Sequence, residues 1–448
     1  MGSATFANRF SVYLRGVDES ANQSIEQAVP PPLGECLRAW LTVGLLGFGG
    51  PAGQIALMHR EFVEKRGWLS EGKFLHALNY CMLLPGPEAH QLSIYSGWLL
   101  RGTWGGILAG ACFLLPGALI MLGISALYVG FGTMAGAPAL FHGLKIAVLA
   151  IVAGALWKLA RRVLRTPFLV VLAASAFVAL FFGGVPFPLV IALALVVGWL
   201  AGKWFPRAFP PRSQDQHASS GGPRRPHPGM AETLRVAVVW LVIWLAPILA
   251  AGLLLGQGSV VTRLGWFFSQ VAMVTFGGAY AVLPYVADHA VNARGWLTAP
   301  QMMDGLGLAE TTPGPLILVL QFVGFLAGWA DGAGGWGQAI VAAAITTWAT
   351  FLPGHLFIFA GAPHIEASLG RKSLHAPMTA VSAAVTGVIL NLTVWFAILL
   401  CFPAAGKIDS AAIGLSLALF AAMQRWKWGV LTVVAAGTGA GVLVSMVT

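Results

Sequence analysis

Charged residues are scarce in this sequence. They fill 9% of its 448 positions, where a soluble domain carries about a quarter. Hydrophobic residues make up 57%, and the mean hydropathy is +0.78. A soluble fold is thereby excluded, because no globule of this length hides so much apolar surface. Cysteine is scarce too. Cys36, Cys81, Cys112 and Cys401 are scattered, mostly in apolar runs, and no two have redox or metal-ligand spacing. They read as packing residues, which leaves no disulfide framework or zinc site to expect. Also missing are a Walker A block, a Gly-x-Ser-x-Gly elbow and room for a soluble nucleotide-binding domain. No metal, cofactor or enzymatic activity is expected, so any work the chain does must draw on a gradient or a partner subunit. The first 32 residues carry Arg9, Arg15, Asp18 and Glu19 and no apolar core of signal-peptide type. They read as an uncleaved tail that stays in the cytoplasm.

What is present is a series of apolar runs near 20 residues long, the length that crosses a bilayer core of roughly 30 Å. The expectation is an all-α, polytopic transmembrane helical bundle of about 13 spans. In the first half these lie near 33–50, 74–100, 104–130, 143–160, 167–183 and 186–202. A polar stretch, 203–232, with Pro206, Pro210, Pro211, Pro223, Pro226 and Pro228, reads as a disordered linker. An unpaired apolar run follows at 233–256, and six more spans come near 261–280, 303–329, 337–361, 376–401, 409–424 and 428–447. The net charge of +10 would suggest nucleic acid in a soluble protein. In a membrane protein it reflects basic residues held in cytoplasmic loops, so the expected surroundings are a lipid bilayer and no nucleic acid.

The chain repeats itself. A shift of 228 positions lays Phe48-Gly49-Gly50 on Phe276-Gly277-Gly278, Arg66-Gly67-Trp68-Leu69 on Arg294-Gly295-Trp296-Leu297, and Pro85-Gly86-Pro87 on Pro313-Gly314-Pro315. Three blocks in the same order and spacing are not a composition accident. Weaker echoes follow: Leu115-Pro116-Gly117 matches Leu352-Pro353-Gly354, and His142 matches His375. The expected units are a tail (1–32), a first repeat (33–202), a linker (203–232), a lone linking helix (233–256) and a second repeat (257–448). Six spans plus one make an odd number, which turns the second repeat upside down. Loop charge agrees: Lys158, Arg161, Arg162, Arg165, Lys203, Arg207, Arg371, Lys372, Arg425 and Lys427 all fall on the inner side. Segment 54–73 fits poorly. It is expected outside, yet it holds Arg60, Lys65, Arg66 and Lys73, nearly balanced by Glu61, Glu64 and Glu71. A segment that dips into the membrane would explain it. Two inverted-topology repeats are a recurring transporter architecture, since matched units facing opposite ways give inward-open and outward-open states of similar energy.

The repeated blocks carry the candidate chemistry. Gly49, Gly50, Gly277 and Gly278 let backbone approach a ligand or another helix closely; tight helix packing explains them about as well. Gly86 and Gly314 sit between prolines inside apolar runs, where a broken helix survives only within protein or beside water. Its exposed N-terminal end can hold an anion, although a simple kink is the plainer alternative. Arg66 and Arg294 offer guanidinium forks for an oxyanion, or else anchor the chain at the interface beside Trp68 and Trp296. Other ionisable groups are unequal between the halves: Glu88 faces Leu316 in the alignment, Glu310 faces Met82, and Lys145 faces Met378. Lys145 is a candidate anion contact, or a partner of Glu88. Glu88 and Glu310 are candidate proton or gating groups, and Gln91 and Gln321 add polar groups at depth. A membrane enzyme acting on a lipid would need a paired acid and nucleophile. Its nearest candidates, Asp304 and Glu310, stand opposite His76 and Met82 in the other repeat, which argues against it.

These blocks together resemble the chromate ion transporter family. Phe48-Gly-Gly-Pro, Arg66-Gly-Trp-Leu, Leu84-Pro-Gly-Pro-Glu-Ala-His-Gln-Leu and Tyr95-Ser-Gly-Trp are similar to its first half. Thr275-Phe-Gly-Gly, Arg294-Gly-Trp-Leu, Gly307-Leu-Ala-Glu-Thr-Thr-Pro-Gly-Pro and Gln321-Phe-Val-Gly-Phe are similar to its second. The resemblance implies the two-domain long form. Such a protein exports chromate from the bacterial cytoplasm across the inner membrane, lowers chromate toxicity and is also connected with sulfate, a near-isosteric dianion. An importer of sulfate or another oxyanion on the same scaffold is the alternative. A homodimer is compatible with either. Ala279 at the position of Pro51, and Leu316 at the position of Glu88, depart from strict repetition.

Overall fold

The computed structural model describes residues 30–132, 134, 136–209, 229–332, 335–367, 375–403 and 407–447. The tail to residue 29, most of the 203–232 linker, and Arg371 and Lys372 lie outside the described residues. Sixteen α-helices and no β-strand make up what is described. The first half holds α1 (Leu33–Leu46), α2 (Gly50–His59), α3 (Glu71–Cys81), α4 (Glu88–Phe131), α5 (Ala137–Val163), α6 (Pro167–Phe181) and α7 (Phe187–Trp204). Next comes α8 (Met230–Leu254), and then α9 (Val260–Val274), α10 (Ala279–Ala287), α11 (Ala299–Thr311), α12 (Val319–Ala330), α13 (Gly335–Ala367), α14 (His375–Cys401), α15 (Ser410–Arg425) and α16 (Val430–Val447).

Local sequence sets many of these ends. Ser70, Thr166, Ser259, Thr298 and Asp409 each accept a hydrogen bond from the amide three residues on. An N-cap of this kind contributes about 1 kcal/mol. Proline occupies the first turn of α2, α5, α6, α7 and α11, where its missing amide is not needed. Both α2 and α10 run on into a π-helical turn, Arg60–Glu64 and Asp288–Ala293, at matching positions of the 228-residue shift.

Helix pairs fold back on themselves in both halves. In α4 the backbone leaves helical geometry at Arg101 and Gly102. The arms 88–100 and 103–131 then lie antiparallel: the Ser93 hydroxyl donates to Ala109 O, and Gly97 packs on Gly105. Upstream, α3 and the arm 88–100 form a hairpin closed by Pro85-Gly86-Pro87, with Tyr80 and Tyr95 in edge contact at 5.8 Å. The α1–α2 pair turns at Phe48-Gly49-Gly50, so that α1 packs against the Arg60–Glu64 turn. The second half repeats both folds. Phe267 of α9 stacks on His289, centroids 4.0 Å apart, across the Phe276-Gly277-Gly278 turn. Gly305 of α11 packs against Phe322 of α12 across Pro313-Gly314-Pro315. Stretches 33–50, 74–100, 261–280 and 303–329, expected as single spans, are arms of hairpins or whole hairpins. The physical cause is the Gly and Pro content of the four turns, which no continuous helix accommodates.

The hairpins approach from opposite ends of two long helices. Along the arm 103–131, the first-half hairpins occupy the N-terminal part, with Gly44 against Cys112 and Gly97 against Gly105. The second-half hairpin takes the C-terminal part, where the Tyr128 hydroxyl donates to Asp304 at 2.9 Å and the Tyr128 ring meets Phe322. The two sets meet near its middle, where Gly117 lies against Pro313 and Leu318. On α13 the first-half hairpin is seated beside Gly354 and Gly361, through Gln91 and Tyr80. Small residues knit the halves elsewhere: Gly143 of α5 against Gly437 and Gly441 of α16, Gly387 of α14 against α6, and Gly198 of α7 against α14. Close backbone approach of this kind is what holds helices together where lipid removes the hydrophobic drive.

Candidate functional site

The four hairpin turns converge. The Gly86 amide donates to Thr275 O at 2.7 Å, and the Gly314 amide donates to Gly47 O at 3.2 Å. Positions 47 and 275, and 86 and 314, are equivalent under the shift, so the two bonds are one bond made twice. Each links a Pro-Gly-Pro turn of one half to the end of the first helix in the other half. Gly86 and Gly314 have φ of 115° and 95°, a left-handed backbone that L side chains resist by roughly 1–2 kcal/mol. The side chains then divide the two tips. Gln54, fully buried, donates through Nε2 to both Gly47 O and Gly314 O; its match is Val282. Gln91 donates to Pro85 O at 2.7 Å, and Gln321 donates to Ala118 O at 2.9 Å. The Oε1 atoms of all three glutamines are buried with no hydrogen-bond partner. A buried polar atom left so costs about 1–3 kcal/mol.

Helix ends set the electrostatics. The starts of α2, of α4 and of α10, and the short 3-10 turn Leu316–Leu318 leading into α12, all lie at these turns. The opposing carbonyls of Gly47 and Thr275 are already engaged by Gly314 and Gly86. Helix starts favour negative charge. In the first turn of α4, Glu88 supplies a carboxylate; Leu316 at the second tip does not. The Phe-Gly-Gly turns are open, with Gly49 and Gly277 exposed, while Gly86 and Gly314 are buried.

The other candidates fall at different depths. Lys145 pairs with Asp304 at 3.7 Å instead of Glu88, and Asp304 also accepts from Tyr128. That set ties α5, α4 and α11 together between the tip and the hairpin base. Buried Glu310 accepts from the Tyr280 hydroxyl, which joins the two second-half hairpins. Arg66 and Arg294 stand at the hairpin bases, apart from the tips. Arg66 is taken by Glu61 and lies 5.1 Å over the Trp68 ring; exposed Arg294 donates to His289 at 3.3 Å. The Arg-Gly-Trp-Leu block closes the base in both halves. Gly67 and Gly295 adopt φ of 59° and 60°, and the Trp68 and Trp296 amides donate to Phe62 O and Ala290 O, equivalent positions again. Burial pushes the Glu61 carboxyl up, but Arg66 and Lys65 outweigh it and hold it below the usual carboxylate range. Sequence reasoning did not single out Gln54, Tyr128, Tyr280 or His355. A polar or aromatic residue opposite an apolar match was the available signal. Among the described residues, no group of three or more His, Cys, Asp or Glu side chains could hold a metal ion.

The family model described as chromate transporter matches residues 34–199 and 262–442. A chromate transport protein of Pseudomonas aeruginosa is 32% identical over 440 residues, covering 95% of this chain and 96% of its own. One of Cupriavidus metallidurans is 30% identical over 384 residues, covering 84% and 86%. An uncharacterized transporter of Methanocaldococcus jannaschii is 24% identical over 364 residues. No solved structure matches the chain.

Proposed function

The chain belongs to the chromate transporter family, and on that premise we propose that it is a secondary transporter that exports chromate through the meeting point of its four hairpin turns. The observation that carries this reading is the reciprocal pair of tip hydrogen bonds, Gly86 to Thr275 and Gly314 to Gly47. They put two equivalent broken helices from opposite ends of the molecule at one place. A tetrahedral dianion is held there by the helix starts at Gly49-Gly50, Gly277-Gly278 and the two Pro-Gly-Pro turns, with Gln91 and Gln321 as polar neighbours. Lys145 is released to the substrate when its pairing with Asp304 opens. Arg66 and Arg294 serve the hairpin bases in this reading, and Glu88 and Glu310 set the charge at the tips.

The two repeats, 33–202 and 257–448, are inverted in the membrane with α8 as the linking helix. The nine crossing elements are the arm 103–131, α5–α8 and α13–α16; the four hairpins are re-entrant. Five crossings precede the second repeat, still an odd number, so the inversion holds. With the N-terminus in the cytoplasm, Arg60, Lys65, Arg66 and Lys73 now fall on the inner side, where basic residues belong. The re-entrant hairpins thus remove the misfit of segment 54–73. The membrane is the bacterial inner membrane, and export there confers chromate resistance.

Everted membrane vesicles carrying the protein test the function. They should accumulate chromate when energised, and excess sulfate, a dianion of similar size, should compete. Vesicles that show no gradient-dependent accumulation refute export. Growth rescue of a sulfate-uptake mutant on limiting sulfate would favour import on the same scaffold.

A further inference from the structure

We propose that His90 and His355 form a proton-binding site that couples this transporter to the pH gradient, a reading that rests on the chromate transport proposed above. His90 lies three residues after the first Pro-Gly-Pro turn, on the arm 88–100. His355 follows Gly354 on α13. Their rings are 5.3 Å apart, and His90 and His355 are 0% and 8% exposed. Both ring nitrogens of His90 and the Nδ1 of His355 are buried with no hydrogen-bond partner. A Cβ at Gly110 would sit 2.8 Å from Ile94 Cγ1, 3.1 Å from His355 Nε2 and 3.3 Å from His90 Nε2, so the two Nε2 atoms are turned to one place beside this glycine.

The walls of that space are apolar. Phe113 of α4, Phe351 and Phe359 of α13, and Trp240 of α8, stacked on His355 at 5.1 Å, surround the pair. The titratable ring facing His90 is that of His355; Glu88 lies two residues before His90, at the start of the same arm. Packing does not require the histidines. Counted from the matched Pro-Gly-Pro and Leu-Pro-Gly blocks, their equivalents in the opposite halves are Leu318 and Ala118, both hydrocarbon. Charge-capable groups at membrane depth without a packing reason point to function.

A neutral imidazole offers one N–H and one lone pair. Two such rings turned to a common point take up one further proton, and their closeness resists a second. The step forms an N–H bond with a proton from water on one side and breaks it by release to water on the other; nothing is oxidised or reduced. The arm 88–100 belongs to a hairpin and α13 to the frame, so displacement of the hairpin separates the pair. Gln91, the next residue, holds the Pro85 carbonyl of the tip, which ties the state of the pair to the state of the substrate site.

Full-length protein in liposomes tests this with two assays: chromate accumulation driven by an imposed pH gradient, and chromate–chromate exchange with no gradient. Native protein should perform both. The variant H90Q/H355Q should lose gradient-driven accumulation about tenfold or more and keep exchange within about twofold. Gly110→Ala, which leaves both histidines but puts a methyl against both nitrogens, should show the same split and serves if the double variant fails to assemble. The proposal is overturned if the variants still follow the pH gradient, if they lose exchange along with accumulation, or if native protein exchanges chromate but ignores the gradient. Native protein that exchanges no chromate removes the premise instead.

Discussion

The two pairs of hairpins share a backbone and differ in chemistry. Both close at the base through a π-helical turn and an Arg-Gly-Trp-Leu block, and both are tied at the tip by the same hydrogen bond. Yet the first pair holds Gln54, His90 and a neutralised Glu61, while the second holds Glu310 with Tyr280 and Asp304 with Lys145. Symmetry has been kept where backbone geometry is needed and lost where charge is placed. Two matched frames suffice for alternating states of similar energy; binding and coupling need a particular group only once.

The largest expected effect tests the second pair. Lys145→Met leaves buried Asp304 with its Tyr128 hydrogen bond but without its counter-charge, and should cost about 3–5 kcal/mol of stability, read as a fall in thermal midpoint in detergent. Adding Asp304→Asn should recover much of that loss. If transport stays low in the stable double variant, Lys145 touches substrate; if transport returns, the pair is only a tie. The symmetric frame is tested next. Gly86→Val and Gly314→Val both force a side chain into left-handed backbone, and each should lower chromate uptake about tenfold, the rate equivalent of roughly 1.4 kcal/mol. The loss should be greater at Gly314, whose Cβ would meet Gly117 Cα at 3.3 Å, than at Gly86, where it would meet the movable end of Gln91. Equal and negligible losses would break the idea that the tips are the site.

A smaller effect separates hydrogen bonding from charge at the second tip. Tyr280→Phe leaves the buried Glu310 carboxyl without its donor and should cost about 1–3 kcal/mol, whereas Glu310→Gln keeps an acceptor for Tyr280 and should cost less. The opposite order in unfolding measurements would mean that the charge itself holds the hairpins. The smallest effects fall at the bases. Arg66→Ala should destabilise by about 1 kcal/mol and Arg294→Ala by under about 0.5, because Arg66 neutralises a buried carboxylate and Arg294 is exposed. The acid profile sharpens this. A carboxyl with a depressed folded pKa contributes stability above its unfolded value, near 4.5, and loses it as pH falls through the folded value. Removing Arg66 should therefore flatten the acid limb of the thermal midpoint, because less of the stability contributed by ionised Glu61 remains to be lost on acidification. An unchanged acid limb would show that Lys65 alone suffices.

Much of this molecule was legible in its residues. Composition excluded a soluble fold, and the Phe-Gly-Gly, Arg-Gly-Trp-Leu and Pro-Gly-Pro blocks located the turns that matter. The hairpins were not legible, because an apolar arm such as α9 or α12 has the composition of a short span whether it crosses or returns. Side-chain partners escaped for a related reason. Lys145 has Glu88 and Asp304 as possible mates, and only the seating of α11 against α5 selects Asp304.

By itself, then, the sequence determined class, duplication and the places where helices must break, because hydropathy and the backbone limits of Gly and Pro are local properties. The tertiary structure alone decided that the broken ends return, that those of one half meet those of the other, and that His90 and His355 face each other across Gly110. The meeting of the halves and the histidine pair depend on contacts between segments far apart in the chain, such as Gln54 with Gly314 at a separation of 260, and no local pattern records them.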